Sequence, residues 1–283
     1  MDSLQDARHI ERVAALSEAA DAAAPLDEAT LMALRDPERF RSWVDGDAVA
    51  LLVDDQLSLV VAPEARGTGL GRSLLKRLLD ELGSGAALDA WSHADHPAAR
   101  RLAEQNGFER VRELWVMRRR TSLALPPLRP PAGVRIRAYT DADADDVLRV
   151  NAAAFAAHPE QGAMDAANLA ERMGESWFDP EGLLLAVEAT PDGDGRLLAF
   201  HWTKQHSRSL GEVYVVGVDP DAQGAGLGRL VTLAGLHHLA DLGVSEVLLY
   251  VESDNAAAIR VYRDKLGFSH AAEDTHVMYR RSL

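Results

Sequence analysis

The sequence contains 283 residues, of which 47 % are hydrophobic, and it carries a formal net charge of −14 at pH 7. This length is enough for two ordinary domains of about 100–200 residues, and an acidic chain without a basic stripe is not expected to bind nucleic acid. Cysteine is absent, which excludes disulfides, thiolate nucleophiles and cysteine metal ligands. The ten histidines lack metal-ligand spacing, so no metal site is expected.

The N-terminal residues do not form an apolar signal core, because charged residues such as Asp6, Arg8 and Glu11 interrupt them. No stretch approaches about 18 uninterrupted apolar residues, the length that a transmembrane helix requires. We therefore expect a cytoplasmic protein without a membrane partner. We also expect it to be a monomer.

The first half of the chain contains a glycine-rich loop, Arg66–Arg72, shortly after the apolar run Leu59–Val61. The next landmark is Leu125–Gly133, which is rich in proline. Proline fixes φ and removes backbone donors, so this segment is interpreted as a stiff linker. The predicted organisation is an N-terminal domain over 1–120, a linker over 121–133 and a C-terminal domain over 134–283.

The second half has the clearest secondary-structure pattern. Residues 213–218 are rich in β-branched and aromatic side chains and predict a strand, which Asp219 and Pro220 end. A second glycine-rich loop, Gln223–Arg229, follows. The elements predicted after its first glycines are a helix over 227–242, a strand over 246–251 and a helix over 255–265. This alternation predicts an α/β fold with a mixed sheet.

The two halves repeat the same order of features. Segment 59–72 corresponds position by position to segment 216–229, and a Gly-Phe pair follows each loop, at 107–108 and at 267–268. Duplication of one domain is the simplest explanation of this repeat.

A strand that runs through glycines into a helix presents free backbone N–H groups to an anion, typically a phosphate. Neither loop contains the Gly-Lys-Ser or Gly-Lys-Thr of a Walker sequence. The spacing Gln223-x-x-Gly226-x-Gly228 comes late in its domain, whereas a dinucleotide-binding fold has its glycines after the first strand. Glycines that merely ease a tight turn are the alternative interpretation of each loop.

The pattern Gln223-x-x-Gly226-x-Gly228 after a strand resembles the acyl-CoA pyrophosphate loop of the GNAT superfamily of N-acetyltransferases. The pattern Asn255-x-x-Ala258-x-x-x-Tyr262 resembles the second signature of that superfamily. The resemblance covers both halves. It implies two tandem GNAT-fold domains, each a mixed sheet flanked by helices, with acetyl-CoA as the co-substrate.

Five further segments are similar to the mycothiol synthase family, the tandem acetyltransferases of actinobacteria. They are Ala24–Glu28, His158–Gly162, Phe200–Lys204, Gly211–Pro220 and Tyr250–Asn255. That family transfers acetyl from acetyl-CoA to the cysteinyl amine of Cys-GlcN-Ins (desacetylmycothiol). The resemblance therefore implies this small-molecule amine as the acceptor and direct transfer without a covalent enzyme intermediate.

The resemblance also implies roles for individual residues. Glu212 would be the general base and Tyr262 would protonate the leaving thiolate, while a strand bulge compatible with Gly217 would present backbone N–H groups to the carbonyl oxygen. The acetyl-CoA-binding residues would be Val216, Gly217, Val218, Gln223, Gly224, Ala225, Gly226, Leu227, Gly228, Arg229, Asn255, Ala256, Ala257, Ala258, Ile259 and Arg260. The acceptor-binding residues would be Glu28, Glu160, Lys204, Glu212 and Tyr250.

The N-terminal copy is expected to be degenerate. It has Ala103 where Tyr262 stands and His96 where Asn255 stands, it lacks room for one strand, and Asp55, at the offset of Glu212, is expected in a turn. A second acetyl-CoA-like site without catalysis is expected at Leu59, Val60, Val61, Gly67, Thr68, Gly69, Leu70, Gly71 and Arg72.

The segment between Tyr262 and Gly267 is one residue longer than is usual in the family, which leaves the orientation of Tyr262 open. Several structural alternatives remain at this stage. Asn255 could be only a helix cap, and Glu28 and Glu160 could be solvated surface residues. The functional alternatives are an N-acetyltransferase for another small amine or a protein N-terminus, and a catalytically silent acyl-CoA-binding regulator.

Overall fold

The computed structural model describes residues 3–21, 23–83, 87–156, 162 and 164–282. The chain divides into two compact units. Unit 1 comprises Met1–Trp115, Glu252–Asp254 and Ala272–Leu283, and unit 2 comprises Val116–Val251 and Asn255–Ala271. The units therefore do not follow the chain linearly, and the linear division at residues 120 and 134 stays a prediction.

Unit 1 is a sheet with a helix packed on each face. Its helices are α1 Ser3–Asp21, α2 Glu28–Ala33, α3 Leu70–Leu82 and α4 Pro97–Gln105. Its strands are β1 Arg41–Asp45, β2 Ala48–Val53, β3 Gln56–Val61 and β4 Leu88–Ser92, with the first part of β5 Glu109–Arg120 and the last part of β11 Ser269–Arg281. Strand order is β1-β2-β3-β4-β11, and the β3–β4 pair is parallel.

Strand β2 of unit 1 is covered by a helix on each face. Ala50 and Leu52 contact the apolar cluster that contains Leu74 and Leu78 of α3. The alternate residues of β2 belong to the cluster that contains Ile10 of α1. Because successive strand side chains point to opposite faces, a strand that is apolar at every position must be covered on both.

Unit 2 has a mixed sheet. Its helices are α5 Ala144–Ala154, α6 Ala166–Met173, α7 Leu227–Asp241 and α8 Ala256–Arg260. Its strands are β6 Val134–Ala138, β7 Leu183–Thr190, β8 Gly193–Gln205, β9 Leu210–Val218 and β10 Glu246–Glu252. They are ordered β6-β7-β8-β9-β10, antiparallel except for the parallel β9–β10 pair. The predicted α/β class with mixed sheets and flanking helices is confirmed.

The two faces of β8 carry different cores. Phe200 and Trp202 pack in the cluster that includes Val147 and Val150 of α5. The alternate side chain His201 is fully buried on the other face and its Nδ1 lies 3.0 Å from the carbonyl oxygen of Val231 in α7. Burial lowers the pKa of His201 to about 4, so its ring is neutral and serves as a packing element.

The proline-rich segment is held against unit 2 by hydrogen bonds. His237 Nε2 lies 2.9 Å from the carbonyl oxygen of Pro126, and Leu128 packs in the cluster beneath α7. The buried Arg119 donates to the carbonyl oxygens of Leu123 and Ala124. The segment is therefore fixed by packing as well as by its prolines.

In the part of the chain that the structure describes, no helix combines the length and the apolar character needed to span a bilayer.

The close packing of α7 on β8 gives a stability prediction. An added Cβ at Gly235 would overlap the His201 ring and lie 2.8 Å from Cγ2 of Thr203. Helix propensity favours alanine over glycine by about 1 kcal/mol, but overpacking a buried site costs about 1–3 kcal/mol or more. We expect Gly235→Ala to lower the free energy of unfolding measured in urea. The control Asp241→Ala, at the exposed end of α7, should stay within about 0.5 kcal/mol of wild type. A stabilised Gly235→Ala would contradict the packing.

Candidate active site

The main feature of unit 2 is an opening in its sheet. Strands β9 and β10 pair in parallel from Leu210–Glu246 to Val213–Leu249, and no further pair follows among the described residues. Both strands nevertheless continue, β9 to Val218 and β10 to Glu252. Strand β8 pairs with β9 from one side only. Among the described residues, the backbone groups of 215–218 that point toward β10 therefore have no strand partner there. These groups are available to a ligand.

The bulge in β9 lies further from the glycine loop than the position near Gly217 that the family resemblance implied. Gly217 pairs regularly with Phe200, and the register of β8–β9 shifts between Trp202 and Thr203, opposite Tyr214. Glycine at 217 is needed for another reason: an added Cβ there would overlap Cε1 of Phe200 and lie 2.9 Å from Cζ of the same ring. The glycine therefore allows close packing, and the bulge has a different residue at its centre.

The glycine loop at the end of β9 leads directly into α7. Gly224 has φ +85° and Gly226 has φ +75°, and nothing lies within 4 Å of an added Cβ at either position. Gly226 is the N-cap of α7 and, in the described structure, no side chain caps this terminus. The first N–H groups of α7 therefore face an open space, which is the geometry of an anion site at a helix N-terminus.

Glu212 is buried and hydrogen-bonded. It lies on β9, one residue before the last pair with β10, and is 6 % exposed. Its Oε2 is 2.6 Å from Nε2 of His206, at the end of the β8–β9 hairpin. The sequence interpretation missed His206 because it considered histidines only as metal ligands. The alternation Lys204-x-His206 before a hairpin was the available signal, since it places both side chains on one face.

Lys204 pairs with Glu212 across the β8–β9 ladder. Its Nζ lies 4.4 Å from the ring centre of Trp177 and 5.1 Å from that of Tyr214, so the cation rests on two aromatic faces. Tyr250 lies on β10 just past the last pair with β9 and is 42 % exposed. The strand opening is thus bordered by an acid, a cation and aromatic rings.

The segment after β10 carries the second signature. Asn255 Oδ1 accepts from the N–H of Ala258 at 3.1 Å, so Asn255 caps α8. The predicted helix over 255–265 is divided: α8 ends at Arg260 and a π-helical turn covers Val261–Lys265. A π turn holds one more residue than an α turn, so this turn is where the extra residue is accommodated.

Tyr262 lies in the π turn. Its ring packs edge to face on Phe268 with 6.0 Å between ring centres, and its carbonyl oxygen accepts from the N–H of Phe268 at 3.0 Å. Burial raises the pKa of Tyr262 to about 12, because the apolar surroundings disfavour the phenolate. The phenol is therefore protonated at neutral pH and can act as a proton donor.

Comparisons with known proteins agree with this geometry. The model of the acetyltransferase (GNAT) family matches residues 149–268, and that of an acetyltransferase (GNAT) domain matches residues 38–110. A mycothiol acetyltransferase of a Nocardioides species is 61 % identical over 96 % of both chains. One of Mycobacteroides abscessus is 48 % identical over 90 % of both.

The chain belongs to the mycothiol acetyltransferase family.

Solved structures support the same fold. A GCN5-related N-acetyltransferase from Sphaerobacter thermophilus has a TM-score of 0.67 at 25 % identity, covering 98 % of this chain and 92 % of its own. A tandem GNAT protein from the clavulanic acid biosynthesis pathway has a TM-score of 0.69 at 20 % identity, covering 98 % and 94 %. The chain is thus an acetyl-CoA-dependent acetyltransferase with two GNAT domains.

Unit 1 of this mycothiol acetyltransferase family member has an equivalent loop. Gly67 has φ +76° and Gly69 has φ +95°, and Gly69 is the N-cap of α3. Arg66 stands at the position of Gln223. Its guanidinium makes a bidentate ion pair with Asp21, with both N–O distances at 2.7 Å, and also donates to the carbonyl oxygen of Val61. The loop of unit 1 therefore has the same two glycines at positive φ as the loop of unit 2, and its first side chain forms an ion pair with the last residue of α1.

Unit 1 has different side chains at the positions of Glu212, Asn255 and Tyr262. The position of Tyr262 is taken by the buried Ala103. Asp55 lies in the tight turn between β2 and β3, and His96 caps α4 by accepting from the N–H of Ala98 at 3.2 Å. In unit 1 three strands, β1–β3, precede the glycine loop, whereas in unit 2 four strands, β6–β9, precede it.

Two of the expected acceptor residues do not lie in the described part of unit 2. Glu28 is the first residue of α2 in unit 1, directly after its N-cap Asp27. Glu160 lies outside the described residues. Among the described residues, no group of three or more histidine, aspartate or glutamate side chains could hold a metal ion.

The raised pKa of Tyr262 can be tested by titration. The chain has five tyrosines, so the absorbance of phenolate at 295 nm resolves the loss of one. With a pKa of about 12, Tyr262 should contribute nothing below about pH 11, and wild type and Tyr262→Phe should titrate identically up to that point. Far-ultraviolet circular dichroism confirms that both stay folded. An extra phenolate in wild type with a midpoint near pH 10 would contradict the burial of this phenol.

Proposed function

We propose that the enzyme transfers the acetyl group of acetyl-CoA to the cysteinyl amine of Cys-GlcN-Ins, giving mycothiol. The observation that carries the proposal is the buried carboxylate of Glu212 at the opening between β9 and β10. The same unit contains an uncapped helix terminus and a protonated phenol. A relative named mycothiol acetyltransferase that is 61 % identical supports the choice of acceptor.

Acetyl-CoA supplies an acetyl group activated as a thioester. We propose that the loop Gln223–Arg229 binds its pyrophosphate with the N–H groups at the start of α7, and that Asn255 and 256–260 contribute to the same site. The unpaired backbone of Val216–Val218 would donate hydrogen bonds to the carbonyl oxygen as it gains charge. The open space at Gly224 and Gly226 supports this assignment, because it lets a ligand approach the backbone.

The chemistry requires one base and one acid. Glu212 accepts a proton from the amine, whose nitrogen forms a bond to the thioester carbon. The carbon–sulfur bond breaks and Tyr262 donates a proton to the sulfur, so the products are an amide and the free thiol. A free α-amine has a pKa of about 7.7–8.0, so its deprotonation at neutral pH costs little and no covalent enzyme intermediate is needed.

The acceptor carries hydroxyl groups and a cationic amine, and therefore needs polar partners. We propose Glu28, Glu160, Lys204, Glu212 and Tyr250 for this role. The position of Lys204 and Tyr250 beside Glu212 in unit 2 supports the assignment. For the loop of unit 1 we propose an acetyl-CoA-like site without catalysis, since the residue at the position of Tyr262 is Ala103, which has no proton to donate.

A direct assay distinguishes this proposal from transfer to another amine. Purified enzyme and acetyl-CoA are incubated with Cys-GlcN-Ins, cysteine, glucosamine and a peptide with a free N-terminus, and thiol release is followed with correction for the thiols of the acceptors. We expect kcat/KM for Cys-GlcN-Ins to exceed that for each other amine by at least about 10², because specificity is a ratio of kcat/KM values. A higher value for the peptide or for another amine would overturn the proposed acceptor.

The proposal that the loop of unit 2 serves catalysis and that of unit 1 does not can be tested with a matched pair of variants. Gly226→Val and Gly69→Val both introduce a β-branched residue at positive φ, so the backbone strain is similar. We expect Gly226→Val to abolish acetyl transfer, because the side chain blocks the approach of the pyrophosphate. Gly69→Val should leave measurable turnover. A folded but inactive Gly69→Val, judged by circular dichroism, would show that the loop of unit 1 is needed for catalysis.

A further inference from the structure

Glu212 has a hydrogen-bond partner to which the motifs and the family resemblance assign no role. His206 lies where the β8–β9 hairpin closes, and its N–H donates to the carbonyl oxygen of Leu210 at 2.9 Å. Ser207 Oγ accepts from the N–H groups of Ser209 and Leu210 at 3.2 and 3.1 Å. The turn is therefore held by its own hydrogen bonds, and the backbone of His206 is fixed relative to β9.

The side chain of His206 connects Glu212 to the surface. Its Nε2 lies 2.6 Å from Oε2 of Glu212, and the side chain is 34 % exposed against 7 % for Glu212. A buried carboxylate is unfavourable unless hydrogen-bond donors stabilise its charge, and a donor to a charged group is worth more than one to a neutral group. Neutral imidazole that carries its proton on Nε2 and imidazolium can both donate here.

A lysine also lies near Glu212. Lys204 is opposite Glu212 in the ladder, but its Nζ rests on the rings of Trp177 and Tyr214. Two arginines on neighbouring elements have other partners: Arg172 contacts the hydroxyl of Tyr214, and Arg118 pairs with Glu246 at 3.6 Å. Among the described residues, the buried carboxylate has a hydrogen bond from His206.

We propose that His206 is the positioning residue of the catalytic base: its Nε2–H holds the carboxylate of Glu212 in one orientation, so that it can accept the proton of the amine. The inference rests on the proposed role of Glu212. As a positioning residue, His206 affects the reaction only through Glu212. That dependence separates it from a residue that only stabilises the hairpin.

The test is a double-mutant cycle with His206→Phe, Glu212→Gln and the double variant. His206→Phe keeps a planar ring and removes the donor, and His206→Gln is the matched control because its amide retains an N–H donor. Each protein is checked by circular dichroism, and kcat and KM are measured from pH 6 to 9 with the amine that the wild type acetylates best.

We expect Glu212→Gln to lower kcat by about 10²–10³, as for a positioned proton-transfer group. His206→Phe should lower kcat at pH 7 by about 10-fold or more with little change in the KM for acetyl-CoA, and His206→Gln should recover most of this loss. In the Glu212→Gln background, His206→Phe should cost less than about twofold, because the group through which it acts is gone.

Two outcomes would overturn the inference, and they are distinguishable. If Glu212→Gln is impaired but His206→Phe loses the same fraction of kcat in both backgrounds, His206 is structural and the base assignment survives. If Glu212→Gln turns over like wild type, the base assignment itself fails, and the role of His206 fails with it.

Discussion

The site of this enzyme depends on the point at which β9 and β10 stop pairing. Parallel strands normally satisfy each other's backbone groups along their whole length, and here the ladder ends at Val213–Leu249 while both strands continue. The divergence leaves polar backbone that needs a partner other than a strand. Glu212 lies in the last paired stretch, Tyr250 just beyond it, and the glycine loop at the end of β9. One interruption in the sheet thus brings backbone without a strand partner, a buried acid and the glycine loop to the same part of unit 2.

Unit 1 also has a short parallel ladder followed by a glycine loop, with different side chains around it. Strands β3 and β4 share one ladder position among the described residues, Gln56–Asp89, and the loop after β3 again has two glycines at positive φ before a helix. The residue at the position of Tyr262 is the buried Ala103. The units therefore share these backbone features but differ in the side chain at the position of Tyr262.

The sequence predicted much of this structure because its signals were local. The glycine loops, the strands before them and the helices after them follow from residue type and spacing, and Asn255 caps α8 as a helix-start residue should. The paired motifs were also enough to indicate two GNAT domains and acetyl-CoA, which the comparisons confirm. The roles of individual site residues stay predictions.

Only the tertiary structure decided the features that depend on contacts between distant elements. The family resemblance implied a bulge compatible with Gly217, but glycine is needed there because the Phe200 ring on the neighbouring strand occupies the space of a Cβ. The extra residue before Gly267 is accommodated by a π turn, and in this turn the ring of Tyr262 packs on that of Phe268. The partner of Glu212 is six residues earlier in the chain, and the hairpin turn brings the two side chains together. By itself the sequence determined the glycine loops and the order of the strands and helices around the second loop. The packing of the sheet determined which side chains meet, because that depends on register and face.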